Sequence, residues 1–464
     1  MMPEKRNTPG LVFDWTFLDA GILGEEHGIR ESDLEKYFPR AEKAWTQLLE
    51  SKNNQQLAFW NILEGSAILE EIKTIREVLN YKKWEDVLLL GIGGSALGAT
   101  AIFRALKHPF HNLFEKPRFF VMDNVDPVTF SSLLDMLNWE RTLTIVISKS
   151  GTTAETMSQF LIVKDRIKKA LGPAAVKHHI IAITDPEKGI LRNIAKSMDL
   201  PSFSVPSLLG GRFSVLSPVG LVPAMCLGVD IESLWEGAVM ASKEAEKTDF
   251  INHPSIRTAL YQFAFDREKK KPIHVYWAYA DALYPFADWL RQLIAESLGK
   301  KKSDGSFVGI TPIKSLGVTD QHSQLQLYRE GPNDKLIIFI GVKTWNKDLE
   351  IPATEENEEA LAYLSGHRLG ELFHAEQRAT ACALAEAGRP NMTIWFPTID
   401  AFTLGQAFFM FELQTAFMGY LYEINPFDQP GVELSKLMTY GLMGRKGFED
   451  YARMVEKFGS WRKE

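Results

Sequence analysis

The amino-acid sequence predicts an α/β protein of two domains, each a mostly parallel sheet flanked by helices, with helical segments at both ends. Three observations carry this prediction. From about residue 85, short β-branched runs alternate with helical patterns. The runs are apolar throughout instead of alternating with polar residues, which means strands covered on both faces, as in a parallel sheet. And 464 residues exceed what one hydrophobic core holds.

Taken in order, the first 70 or so residues read as mostly helical. Val87–Leu90 is a continuous apolar run ending in glycines, followed by a helical stretch through about Lys107. Arg118–Met122, Thr144–Ile147 and Ile180–Ile183 repeat the theme, as expected of right-handed βαβ units. After a charged, helical interval near 231–272, Ile273–Tyr276, Val308–Gly309, Leu336–Val342 and Met392–Phe396 read as strands of a second domain. The last 40 residues read as helical. The expected bounds are 75–228 for the first domain, and 1–74 together with 229–464 for the second. No low-complexity linker separates the two, so they are expected to pack together. No fixed-period repeat is visible.

Composition narrows the function. A formal charge of −7 argues against nucleic acid as a partner, because phosphate-backbone binding needs a basic footprint. A small phosphorylated ligand is still compatible, since local cations and helix N-termini can hold it. The two cysteines, Cys226 and Cys382, lack metal-ligand spacing and fit a reducing cytoplasm. The start, MMPEKRNTPGLVFDW, has no apolar core of a signal peptide. Pro223 interrupts the apolar stretch near 215–228, and Glu412 and Gln414 interrupt that near 407–421. Neither gives the roughly 20 clean residues of a membrane helix, so a soluble protein is expected. No metal motif and no G-x-S-x-G elbow is present.

Ligands of such folds sit beyond the C-terminal ends of the strands. There the first domain carries Gly91-Ile92-Gly93-Gly94-Ser95-Ala96-Leu97-Gly98. Such a loop is either a phosphate site at a helix start or a tight turn, and it also fits a G-x-G-x-x-A dinucleotide pattern. Ser148-Lys149-Ser150-Gly151-Thr152-Thr153-Ala154-Glu155-Thr156 follows another strand, with five hydroxyl residues in nine positions. That is more than helix capping needs and suits the oxygens of a phosphate monoester. A nicotinamide enzyme has no use for this second loop. Arg212, after two glycines, is either a charge for a developing oxyanion or a surface arginine. Glu296 falls on the apolar stripe of a helix over 285–298, with Trp289 and Leu293, and Gln292 shares its face. A carboxylate there is either a desolvated base or a paired structural residue. His322 and Lys436 open helical stretches in DQHS and QPGVELSK, and spacing alone assigns them nothing.

Together these segments resemble the glucose-6-phosphate isomerase family in its compact bacterial form. GIGGSALG, SKSGTTAET, GGRFSVLSPVGL, QLIAESLGK with DQHSQLQLYREG, and FDQPGVELSK occur in the family's order over 91–436. The resemblance implies two sugar-isomerase (SIS-type) domains, an aldose–ketose isomerase needing no cofactor or metal, and a cytoplasmic homodimer. It implies that Ser148, Ser150 and Thr153 bind the sugar phosphate, with Gly94, Ser95 and Lys149 nearby. Glu296 matches the base that moves a proton between C2 and C1, and Arg212 the group that stabilises the cis-enediolate. His322 and Lys436 match the ring-opening pair, the histidine being supplied across the dimer interface. Gln292 and Gln429 match sugar contacts. Gly151 and Ala154 depart from the bulkier residues of many family members. A nicotinamide oxidoreductase and a non-catalytic sugar-phosphate sensor are the rival readings; the sensor would not need Glu296, Arg212 and Lys436 together.

Overall fold

The computed structural model describes residues 10–80 and 84–458; the first nine residues of the expected leaderless start lie outside them. The N-terminal part is helical apart from one short strand, β1 (Val12–Asp14). The first sheet follows, from β2 (Asp86–Leu90), β3 (Arg118–Met122), β4 (Thr142–Ile147), β5 (Ile180–Thr184) and β6 (Ser202–Ser204). Its order is β3-β2-β4-β5-β6, all parallel. Next come β7 (Ile273–Ala278), a small ribbon of β8 (Lys300–Lys301) and β9 (Phe307–Val308), then β10 (Thr311–Leu316), β11 (Lys335–Val342) and β12 (Asn391–Phe396). The second sheet runs β1-β12-β11-β7-β10, and only β1 is antiparallel.

The two sheets share a topology that the sequence does not display as a repeat. In each, the first parallel strand (β2 or β7) takes the next strand on one side and the following one on the other. The chain reverses direction there, and loops at that point splay apart to leave a crevice.

Most strands lie where the apolar runs predict, because they are buried along their whole length. β2, β4, β5 and β11 have no partly exposed residue. The expected strand at Val308–Gly309 is a correction. Gly309 has φ +127°, and a Cβ on it would lie 2.6 Å from the Leu298 carbonyl oxygen, so the chain turns there. Phe307–Val308 forms only the ribbon, and the sheet strand begins at Thr311.

The helix Ala401–Tyr422 runs through the main core, buried at every position but Ala401 and Tyr420. It packs against the helices Ile231–Lys247, Pro254–Arg267 and Tyr284–Leu298, and against Phe38–Asn53 from the N-terminal part. Trp45, Trp60 and Phe59 of that part pack edge-on or tilted around Phe409 and Phe417. Helix 401–422 is the second interrupted apolar stretch of the sequence, and among the described residues no helix is long and apolar enough to cross a membrane.

Candidate active site

The site begins where β2 and β4 end. Leu90 pairs with Val146, so the glycine loop after β2 and the hydroxyl loop after β4 leave the sheet side by side. The hydroxyl loop folds on its own side chains. Ser148, buried, accepts from the Gly151 N–H at 3.1 Å and shares a hydrogen bond with the Thr153 hydroxyl at 3.2 Å. Ser150 Oγ accepts from the Thr152 N–H at 3.2 Å and its hydroxyl at 2.9 Å. Thr153 is the N-cap residue of the helix Ala154–Leu171, yet its side chain makes no capping bond. Its hydroxyl is committed to the loop, beside the unpaired N–H groups and partial positive charge of that helix start.

Lys149 turns aside from its neighbours. Its Nζ donates to the carbonyls of Ser207 and Leu209 at 2.5 and 3.0 Å, and burial pushes its pKa below the usual lysine range. Gly151 is required as glycine: its φ is +63°, and a Cβ would meet the Leu191 N at 2.3 Å. The bulkier residues expected at this position would force the 189–191 segment to move.

The glycine loop does not face an open groove. A Cβ on Gly94 would lie 2.3 Å from the Gly211 carbonyl, so the segment Gly211–Phe213 is packed directly on it. That packing puts Arg212 under the site. The guanidinium side chain is 1% exposed, and all five of its N–H donors are matched with acceptors. Nε donates to Ser297 Oγ at 2.8 Å. Nη1 donates to Glu296 Oε2 at 3.3 Å and Gln429 Oε1 at 2.9 Å. Nη2 donates to the carbonyls of Pro426 at 2.5 Å and Asp428 at 2.9 Å. Burial pulls its pKa down, and the Glu296 carboxylate opposes that shift.

Glu296 departs from the expected buried stripe. Trp289 and Leu293 are buried, but the Glu296 side chain is 35% exposed. The helix Tyr284–Leu298 is ending there, so its stripe emerges from the core into the crevice. Gln292, one turn earlier, donates from Nε2 to Glu296 Oε1 at 3.3 Å, and its own Oε1 is buried without a partner. The same side chain lies against Gly93, where a Cβ would meet Nε2 at 2.7 Å.

Lys436 stands on the helix Glu433–Leu442, half exposed, paired with Glu433 at 2.9 Å. Tyr440 of that helix donates to the Thr152 carbonyl at 2.9 Å, tying the helix to the hydroxyl loop. Arg212, Glu296, Gln292 and Gln429 are thus directly joined, the glycine loop packs on two of them, and Tyr440 links the helix of Lys436 to the hydroxyl loop. His322 is not brought to them. It is exposed beyond the end of β10, and its ring has no hydrogen-bonding or ionic partner among the described residues.

Sequence reasoning missed Ser297, Lys300, Tyr440 and the carbonyls of Pro426 and Asp428. The one readable signal was Lys300, four residues beyond Glu296 and just past a helix C-terminus, where a cation is favoured. Both cysteines are free, and burial pushes the Cys226 thiol up to about 12. Among the described residues, no group of three or more His, Cys, Asp or Glu side chains is placed to hold a metal ion. The chemistry on offer is a solvent-reachable carboxylate held against a fixed cation, with a hydroxyl-rich loop on the neighbouring strand.

The family model described as phosphoglucose isomerase matches residues 68–452. A glucose-6-phosphate isomerase of Carboxydothermus hydrogenoformans is 42% identical over 93% of this chain and 95% of its own length. That of Rubrobacter xylanophilus is 43% identical over 94% and 99%. Among solved structures, a hypothetical protein from Thermus thermophilus superposes with a TM-score of 0.84 at 36% identity, covering 94% of this chain and all of its own. A glucose-6-phosphate isomerase from Chlamydia trachomatis superposes at 0.80 with 22% identity, covering 95% of each chain, a likeness of fold.

Proposed function

The chain belongs to the phosphoglucose isomerase family, and from that premise we propose that it interconverts glucose 6-phosphate and fructose 6-phosphate through a cis-enediolate. It is an aldose–ketose isomerase, of the kind that serves glycolysis and gluconeogenesis. The observation that carries the site reading is the Arg212–Glu296 pair, a buried cation 3.3 Å from a solvent-reachable carboxylate.

The chemistry needs those two groups. Removing the proton from C2, beside the C1 carbonyl, leaves negative charge on oxygen, which a base must create and a fixed cation must stabilise. Glu296 takes the proton from C2 and returns it to C1, while the O2 hydroxyl proton passes to O1 so that the carbonyl moves from C1 to C2; such general base catalysis supplies about 10²–10⁴-fold. Arg212 faces the developing oxyanion through Nη1, the nitrogen whose partners, Glu296 and Gln429, are side chains and not main-chain carbonyls. Its Nε and Nη2 remain fixed on Ser297 and on main-chain carbonyls, so the charge is preorganised and worth roughly 3–4 kcal/mol.

Ser148, Ser150 and Thr153 bind the phosphate, with Gly94, Ser95 and Lys149 shaping the surrounding loops. Gln292 and Gln429 contact sugar hydroxyls; the unpartnered Gln292 Oε1 supports that role. His322 and Lys436 open the sugar ring. Because His322 stands apart from the cluster of its own chain, we assign it to the site of a second copy, in a cytoplasmic homodimer with shared sites and no metal. Residues 75–228 form the phosphate-binding domain, and 1–74 with 229–464 the second. A dinucleotide reading of the glycine loop is disfavoured because Gly211 fills the space over Gly94.

A coupled assay that consumes glucose 6-phosphate, started with fructose 6-phosphate with and without EDTA, tests this. Equal turnover in both is expected. Absence of turnover would remove the proposed reaction, and loss only with EDTA would remove metal independence.

A further inference from the structure

Lys300 makes contacts that its position at a helix end does not require. Its side chain is 7% exposed. Nζ donates to the Glu296 carbonyl at 2.6 Å and to the Asp428 carbonyl at 2.6 Å, and it lies 3.4 Å from Asp428 Oδ1. Its three N–H bonds are therefore divided between the base-bearing helix and the 425–429 loop. The Asp428 carbonyl also accepts from Arg212 Nη2 at 2.9 Å, so two buried cations converge on one main-chain oxygen. Burial and the neighbouring Arg212 charge pull the Lys300 pKa down, while Asp428 and Glu296 oppose the shift. Two like charges in this contact are costly, and carbonyl dipoles together with the Asp428 carboxylate offset the repulsion.

The residue after Asp428 is Gln429, whose Oε1 meets Arg212 Nη1. The helix that follows carries Lys436 and is tied to the hydroxyl loop by Tyr440. A tether at Asp428 thus acts on the segment that brings Gln429 to the Arg212 nitrogen shared with Glu296. The other side of the crevice, the hydroxyl loop, is held by its own hydrogen bonds and by the first sheet.

We propose that Lys300 is a positioning residue, whose ammonium between the Glu296 helix and the 425–429 loop sets the spacing between Glu296 and Gln429. It touches no substrate. Its contribution is to hold base and sugar-contacting side chain in register, and misplacement by about 1 Å is enough to cost as much as 10²-fold in rate. The inference rests on the proposed function.

The test is Lys300→Met in the full-length protein, assayed with fructose 6-phosphate and titrated with glucitol 6-phosphate, the open-chain alcohol phosphate that cannot isomerise. A folded variant is expected to lose about 10- to 100-fold in kcat. Its affinity for glucitol 6-phosphate should stay within about twofold, the scatter of independent sites. In a Gln429→Ala background, the loss caused by Lys300→Met should shrink to within that same factor of about two. A structural role alone would give equal losses in both backgrounds, and that result, or wild-type kcat in Lys300→Met, would overturn the proposal. If Lys300→Met does not fold, Lys300→Arg is read by the same criteria; it keeps the charge, but its planar fork does not reproduce three convergent donors. An inactive wild type would instead remove the proposed reaction, so the two failures are distinguishable.

Discussion

The C-terminal ends of the two sheets have the same strand topology and opposite contents. At the first, the loops after β2 and β4 are built from glycine, serine and threonine, and a helix begins at Ala154, immediately after the hydroxyl loop. Arg212 and Glu296 stand against them. At the second, β7 runs into the buried Tyr279, and after β11 the next regular α-helix begins only at Leu369. A wide cavity of about 1590 Å³ opens there instead, lined by Phe110, Trp345 and Phe373 among acids such as Asp281 and Glu376. Shared topology supplies a crevice at each end, and loop composition decides whether small anionic chemistry is built there.

The comparison can be broken at the first end by one atom. Glu296→Gln keeps the shape but removes the base, leaving one oxygen to accept where the carboxylate accepts from both Arg212 and Gln292. The expected loss in kcat is about 10²–10⁴-fold, with affinity for glucitol 6-phosphate roughly intact. Wild-type-like kcat would refute the assignment.

His322 sharpens the comparison because it belongs to the second sheet, just beyond β10. If its task is ring opening, His322→Ala slows turnover of the cyclic substrate by about 10²-fold and spares an open-chain substrate such as a tetrose 4-phosphate, too short to form a furanose or a pyranose. Equal losses on both would show that it has another role.

A smaller contrast compares hydroxyls at the two ends. Thr153→Val, in the hydroxyl loop, removes the hydroxyl proposed to hold the phosphate and is expected to raise KM by roughly tenfold, the worth of a hydrogen bond to a charged group. Thr344→Val, exposed at the mouth of the second cavity, is expected to leave kcat and KM unchanged. Steady-state kinetics of both variants check this, and the reverse pattern would invert the assignment of the two ends.

The last expected effect is on stability and leaves turnover aside; it lies in helix 401–422. Glu412 is fully buried there, both carboxylate oxygens lack partners, and burial raises its pKa well above the usual carboxylate range. The folded protein therefore keeps a proton that the unfolded chain gives up above about pH 4.5. This contribution is fully present below that pH and is lost as pH rises toward the raised folded value. Its slope is at most about 1.4 kcal/mol per pH unit. Glu412→Gln stays neutral at every pH, so its stability should gain on the wild type steadily from pH 5 to 8 in urea titrations. Parallel curves would mean that Glu412 is ionised or paired in the folded state.

What the sequence disclosed follows from burial. Strands covered on both faces, such as Asp86–Leu90 and Lys335–Val342, are apolar beyond their first residue, so the runs can be read directly. Edge strands escape that demand. Thr311–Leu316 carries Pro312 and Lys314 and lies at the rim of its sheet, and Ser202–Ser204 is short and polar, so neither announces itself. In the site, the motif residues were legible because the chemistry needs unusual side chains in close sequence. The second layer was not: Ser297 and Lys300 owe their roles to Arg212 and Asp428, far away in the chain. The buried carboxylate expected at position 296 belongs instead to Glu412. The stripe pattern records a helix face without recording where the helix leaves the core.

The most direct measurement is the structure of the protein with glucitol 6-phosphate bound. Phosphate is expected in the 148–153 loop, and a Glu296 carboxylate oxygen about 3–3.5 Å from both C1 and C2, the separation of reacting atoms in a near-attack geometry. A carboxylate well removed from those carbons, with phosphate seated elsewhere, would contradict it.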